Sequence, residues 1–146
     1  MVKSEANMGC MDGYRHVHSQ EVAFRDLDAF GHVNNAVYLT WLEEVRTRYV
    51  AARRGFETIE QMDFVLAQTT LNFRSPVYFH ETVILRCAPT RVGTSSWAMA
   101  YEGRTEDGEI VVEATSVQVT YDYATKKKAP LPADWRRALV ADGAES

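Results

Sequence analysis

Apolar and polar positions divide this chain into one stretch of helical period and several of strand period. Between residues 34 and 54, Tyr38, Trp41, Leu42, Val45 and Tyr49 recur three and four apart, an apolar stripe wide enough to face a core. Glu44 and Arg48 stand four apart in the favoured order. Asn34 or Asn35 can cap the start, and Gly55, just after Arg53 and Arg54, is a natural stop. The spacing predicts a helix over residues 34–54. Before it, His16, His18, Gln20, Val22 and Phe24 alternate with Val17, Ser19, Glu21 and Ala23, which suits a first strand over Tyr14–Phe24.

After residue 62 the period is that of strands. Phe64–Phe73 ends at Ser75-Pro76, Glu81–Val92 ends at Gly93, and Ser95–Thr105 ends at Asp107-Gly108, a hairpin signal. Ile110–Tyr123 carries Val111, Val117, Val119 and Tyr121 on one side and Ser116, Gln118 and Thr120 on the other. Residues 133–140 suit a short terminal helix. Strands joined by short turns are antiparallel, and a single apolar helix buries its stripe most economically across the concave face of such a sheet. The predicted architecture is α+β: about five antiparallel strands curved around one long helix. Residues 1–13 read as a flexible leader, 14–140 as a single domain, and 141–146 as a flexible tail.

Composition narrows the function. The 146 residues suit one domain with a real core, and 46% apolar and 25% charged residues are ordinary globular values. A net charge of −4 argues against a nucleic-acid-binding face. No apolar run is long enough for a membrane span. The two cysteines form no framework, and no Cys/His cluster has metal spacing, so neither metal nor cofactor is expected. The expected setting is a reduced cytoplasm.

The candidate chemistry lies in DLDAFGHVNN, residues 26–35, a loop rich in turn residues that feeds the helix start. A carboxylate there can act as base or nucleophile, and the unpaired N–H groups and positive dipole end of the helix can stabilise an oxyanion. The segment FRDLDAFGHVNNAVYLTWLEE resembles the signature of the 4-hydroxybenzoyl-CoA thioesterase-like family, and also that of plant acyl-ACP thioesterases. NFRSPVYFHETV, RVGTSS and KKKAPLP are similar to later family segments, so the resemblance spans residues 18–132. It implies the hot-dog fold and hydrolysis of an acyl-CoA thioester, or release of an acyl or polyketide chain from a carrier protein. A non-catalytic acyl-binding module is the alternative from another class.

The resemblance assigns Asp28 as the catalytic aspartate, Gly31 as the loop glycine and the Asn35 backbone N–H as the carbonyl donor. His32 and Asn34 are expected as support, and Asp26 as a cap. Glu43 and Glu44 read as surface charges, though some branches of the fold place a catalytic carboxylate on the helix. Tyr38 and Trp41, with Phe64 and Phe73, are candidates for the acyl pocket. Arg74, Arg91 and Lys126–Lys128 are candidates for the CoA phosphates, and Ser95 and Ser96 for the pantetheine arm. The long free edge of such a sheet favours pairing with a second copy, so the resemblance implies a homodimer or homotetramer.

Overall fold

A computed structural model describes residue 13 and residues 15–146. The leader expected over residues 1–13 lies, Gly13 apart, outside the described residues, as does Tyr14. The elements are β1 (His16–Glu21), α1 (Val37–Arg54), β2 (Phe64–Phe73), β3 (Thr82–Val92), β4 (Ser96–Thr105), β5 (Ile110–Asp122), β6 (Lys127–Lys128) and α2 (Ala133–Ala141). The main strands form one antiparallel sheet in the order β1-β3-β4-β5-β2, and the two-residue β6 pairs with the end of β5.

Register shifts at Leu66/Gln68, Pro89/Arg91 and Gly103/Arg104 each bend a strand. The curled sheet wraps α1, which buries Tyr38, Trp41, Leu42, Val45, Arg46, Tyr49 and Val50. Val83, Leu85, Cys87, Trp97, Met99 and Tyr101 close the core from the sheet side. Each such large apolar side chain contributes about 1.5–3 kcal/mol on burial. This is the hot-dog arrangement. No helix among the described residues is long and apolar enough to cross a membrane.

Three local features differ from the expectation. The helix begins at Val37, because Asn34 closes a turn first: its Oδ1 accepts the Ala36 N–H at 3.0 Å and its carbonyl accepts the Val37 N–H at 2.9 Å. On β5 the polar set Ser116, Gln118 and Thr120 is the buried one. Ser116 and Gln118 are satisfied there by hydrogen bonds to each other, to Tyr101 and to the Trp97 carbonyl, and Tyr101 in turn accepts from Arg46 of α1. The last residues, expected as a flexible tail, lie along β3, where the Val92 N–H donates to the Glu145 carbonyl at 2.8 Å and the Glu145 N–H to Thr90 at 3.0 Å. Ala144 is buried there.

Candidate active site

The loop before α1 is built by its own backbone. Leu27 and Val33 form an antiparallel bridge, and the Asn34 N–H donates to the Asp26 carbonyl at 2.9 Å. Inside that closure the Asp28 N–H donates to His32 at 2.9 Å, and the Gly31 N–H donates back to Asp28 at 3.1 Å. Gly31 turns the chain at φ 86°, a left-handed conformation that side chains disfavour. The Val33 N–H then donates to Val77 at 2.8 Å, and His32 bridges to Tyr78, which ties the loop to the segment between β2 and β3.

Asp28 and Asp26 are thereby held differently. Asp26 Oδ2 accepts the Ala23 N–H at 2.8 Å and serves as a local cap. Asp28 Oδ1 accepts the Phe30 N–H at 2.8 Å, while Oδ2 stands 3.6 Å from His32 Nδ1, beyond direct hydrogen-bond range. The Asp28 side chain remains 23% exposed, and its Oδ2 accepts no hydrogen bond among the described residues. His32 stacks on Phe30 and meets the edge of Tyr78.

A cleft of about 210 Å³ opens at the start of α1, lined by His32, Val33, Asn35, Tyr38, Phe73 and Arg74 among others. Asn35 is exposed, and its N–H has no acceptor among the described residues. It is a free donor at the positive end of an 18-residue helix. Tyr38 packs edge-on against Phe73 and Trp41, and burial, with Glu81 adding to it, pushes its phenol up to about 12. Arg74 is half exposed and paired with Glu113 at 2.8 Å.

The expected site residues thus fall into three places. His32, Asn35, Tyr38, Phe73 and Arg74 share the cleft, with Asp28 immediately behind His32. Trp41 is buried and lines a separate groove of about 420 Å³ on the other flank of α1, with Gln20, Arg25, Asp26 and Glu44. Arg91, Ser95 and Ser96 lie at the β3–β4 turn, and Lys126–Lys128 follow β5. The 11-residue β3 spans about 35 Å, which sets that turn at the far end of the sheet from Asp28. Arg46, buried on α1, is a polar residue that the apolar-stripe reading did not single out. Its position at i+4 from Leu42 was the available signal.

Residues 22–139 match the profile of the thioesterase-like superfamily. The chain belongs to that superfamily. The thioesterase resemblance carried by residues 18–132 is borne out, and the chain is a thioester hydrolase. It is 28% identical over 116 residues to the long-chain acyl-CoA thioesterase FadM of Escherichia coli, covering 77% of this chain and 88% of FadM. A Thermus thermophilus thioesterase solved with coenzyme A and Zn is 31% identical, with a TM-score of 0.81 over 90% of this chain and 97% of that one. A thioesterase-superfamily protein from Jannaschia shares the fold at a TM-score of 0.84 and 22% identity, over 96% of this chain and 90% of that one. Among the described residues, no group of three or more His, Cys, Asp or Glu side chains is placed to hold a metal ion.

Proposed function

We propose that this thioesterase hydrolyses acyl-CoA, with the thioester carbonyl seated at the Asn35 N–H and Asp28 supplying the reactive carboxylate. The observation that carries the reading is the unoccupied Asn35 donor at the helix start, one short loop away from a carboxylate with a free oxygen. As general base, Asp28 takes a proton from water while the water oxygen bonds to the carbonyl carbon. The oxyanion forms against the Asn35 N–H and the helix dipole. Its collapse breaks the C–S bond, and the thiolate leaves readily because thiol pKa values lie near roughly 8.5. As nucleophile, the same carboxylate would form a mixed anhydride that water then opens.

Replacing Asp28 by Asn keeps the turn geometry and removes the base. We expect kcat to fall about 10²- to 10⁴-fold with thermal stability unchanged. Retained turnover of every thioester tested would sink the assignment. One observation favours a second reading, in which His32 takes the proton and Asp28 orients it: His32 itself lines the cleft. In that case His32→Gln would lose as much activity as Asp28→Asn. Matched CoA and carrier-protein thioesters separate the two carriers. A protein that binds acyl groups without turning over either would be the non-catalytic module.

The distant position of Arg91, Ser95, Ser96 and Lys126–Lys128 fits assembly. Among the described residues the ten-residue β2 has one edge without a partner strand, with Leu66 and Phe73 exposed. Two copies pairing β2 edges antiparallel about a two-fold axis would bring the far end of one beside the cleft of the other. Substitution of Leu66 by Lys is expected to yield monomers in sedimentation equilibrium, with a raised KM for CoA esters. Unchanged mass would count against this edge.

A further inference from the structure

Arg46 is a charged residue that the reaction scheme leaves without a task. It follows Tyr38 and Leu42 at four-residue intervals along α1 and is only 4% exposed. Nη1 donates to the Tyr101 hydroxyl at 3.2 Å, Nε is buried without a partner, and Arg46 forms no ion pair among the described residues. A guanidinium does not deprotonate in a protein. A buried cation with a single neutral partner is therefore poorly compensated.

The surrounding polar groups are satisfied among themselves. The Tyr101 hydroxyl bonds Ser116 Oγ at 2.6 Å, Ser116 bonds Gln118, and Gln118 Nε2 donates to the Trp97 carbonyl at 3.1 Å. Nothing in that chain carries a negative charge. Beside it runs a groove of about 240 Å³, walled by Leu39, Leu42 and Arg46 of α1 and by Leu66 and Thr69 of β2. Thr40 and Glu43 complete its lining, and its β2 wall pairs with the β5 segment that carries Ser116 and Gln118.

The groove and the Asn35 cleft follow one seam between the same two elements. From Asn35 just before α1 the lining residues run along the helix through Tyr38 to Leu42 and Arg46, and along β2 from Phe73 back to Thr69 and Leu66. From Val37, two residues beyond Asn35, to Arg46 the helix axis advances roughly 14 Å. An acyl group anchored by its carbonyl at Asn35 and laid along this seam would bring its far end to the guanidinium.

We infer that the seam receives an acyl group bearing a terminal carboxylate, so that the substrate is the CoA monothioester of a dicarboxylic acid. This rests on the reading of the Asn35 cleft as the thioester site. The guanidinium supplies the fork geometry that a carboxylate matches. Glu43 lines the same groove but is exposed at its rim, where solvent screens it, whereas Arg46 is not screened in this way.

The test compares kcat/KM over a length series of CoA esters, each supplied as the plain acyl and the ω-carboxyacyl form. At the length that reaches Arg46, the wild type is expected to prefer the carboxylated ester by about 10- to 100-fold, the size of one charge-assisted hydrogen bond. Arg46→Gln should abolish the preference while still turning over plain esters. In parallel, calorimetry with free dicarboxylates against monocarboxylates of equal length reads the site without hydrolysis and on the wild type alone. It stays decisive if Arg46→Gln does not fold, or if no CoA ester is turned over and the thioesterase reading itself fails. Equal kcat/KM for both forms at every length, or equal binding of both acids, would overturn the inference. So would a partner copy's carboxylate closing the groove, seen as loss of oligomer in Glu43→Gln with no dicarboxylate preference in the wild type.

Discussion

The two ends of α1 solve opposite problems. At the C-terminal end nearly every polar group is matched. Gly55 closes the helix at φ 68° with its N–H on the Ala51 carbonyl, and Arg53 and Arg54 sit where the dipole favours cations. Arg54 makes a two-pronged pair with Asp63 at 2.6 and 3.0 Å, and its guanidinium lies 4.5 Å over Phe56 and 5.2 Å over Trp135. Tyr49 and Arg53 both donate to Asp142 at 2.7 Å. The Trp135 indole nitrogen is buried without a hydrogen-bond partner among the described residues. At the N-terminal end, among the described residues, the Asn35 N–H has no acceptor and Asp28 Oδ2 has no hydrogen bond, and Phe30 is 84% exposed. Groups are saturated at one end and open at the other, and the proposed chemistry belongs to the open end.

That division breaks most sharply at Trp135. It is 2% exposed and packs against Trp97 and Tyr49. Trp135→Ala should cost about 3–5 kcal/mol in denaturant unfolding, with kcat of the surviving folded protein unchanged. A loss of kcat would mean the two ends are coupled through α1.

Gly31→Ala sharpens the other end. A Cβ there would touch nothing within 4 Å, so the cost is backbone strain alone, about 1–2 kcal/mol. Because the strain falls on the turn that holds Asp28, kcat should drop more than the melting temperature does. Equal relative effects on both would show that the loop only contributes stability.

The smallest expected effect is a pH dependence near the saturated end. His16, whose ring meets Tyr49, has its pKa lowered from 6.5 by burial first and then by His18 and Arg48. The unfolded chain therefore takes up the proton first. The stability from neutral His16 is complete above about pH 6.5 and is lost as the pH falls through the lower folded-state value. His16→Gln should flatten that slope, measured by unfolding midpoints on either side of pH 6.5, without altering turnover at neutral pH.

The helix and its stop were legible because the apolar stripe from Tyr38 to Tyr49 and Gly55 are local signals. The strands were legible because Ser75-Pro76, Gly93 and Asp107-Gly108 punctuate them. Asp28, Gly31 and Asn35 were legible as a family motif, and Asp26 as a cap, which its bond to Ala23 matches. What could not be read was which side of an alternating strand faces inward. On β5 the polar residues do, because Arg46 and Tyr101 reach down to them. Nor could local pattern separate Tyr38 from Trp41. Three residues apart, they line different flanks of the helix. The placement of Arg91 at the far end of the sheet from the Asp28 loop is likewise set by the length of β3, about 35 Å.

The central claim is that a thioester is held at the Asn35 N–H and attacked from the Asp28 side. A crystal structure with a thioether or ketone analogue of an acyl-CoA tests it most directly. The analogue's carbonyl oxygen, or the equivalent atom, is expected about 2.9 Å from the Asn35 nitrogen, with the Asp28 carboxylate facing the carbonyl carbon directly or through one water. An analogue seated instead in the groove beside Trp41, with Asn35 left free, would contradict it.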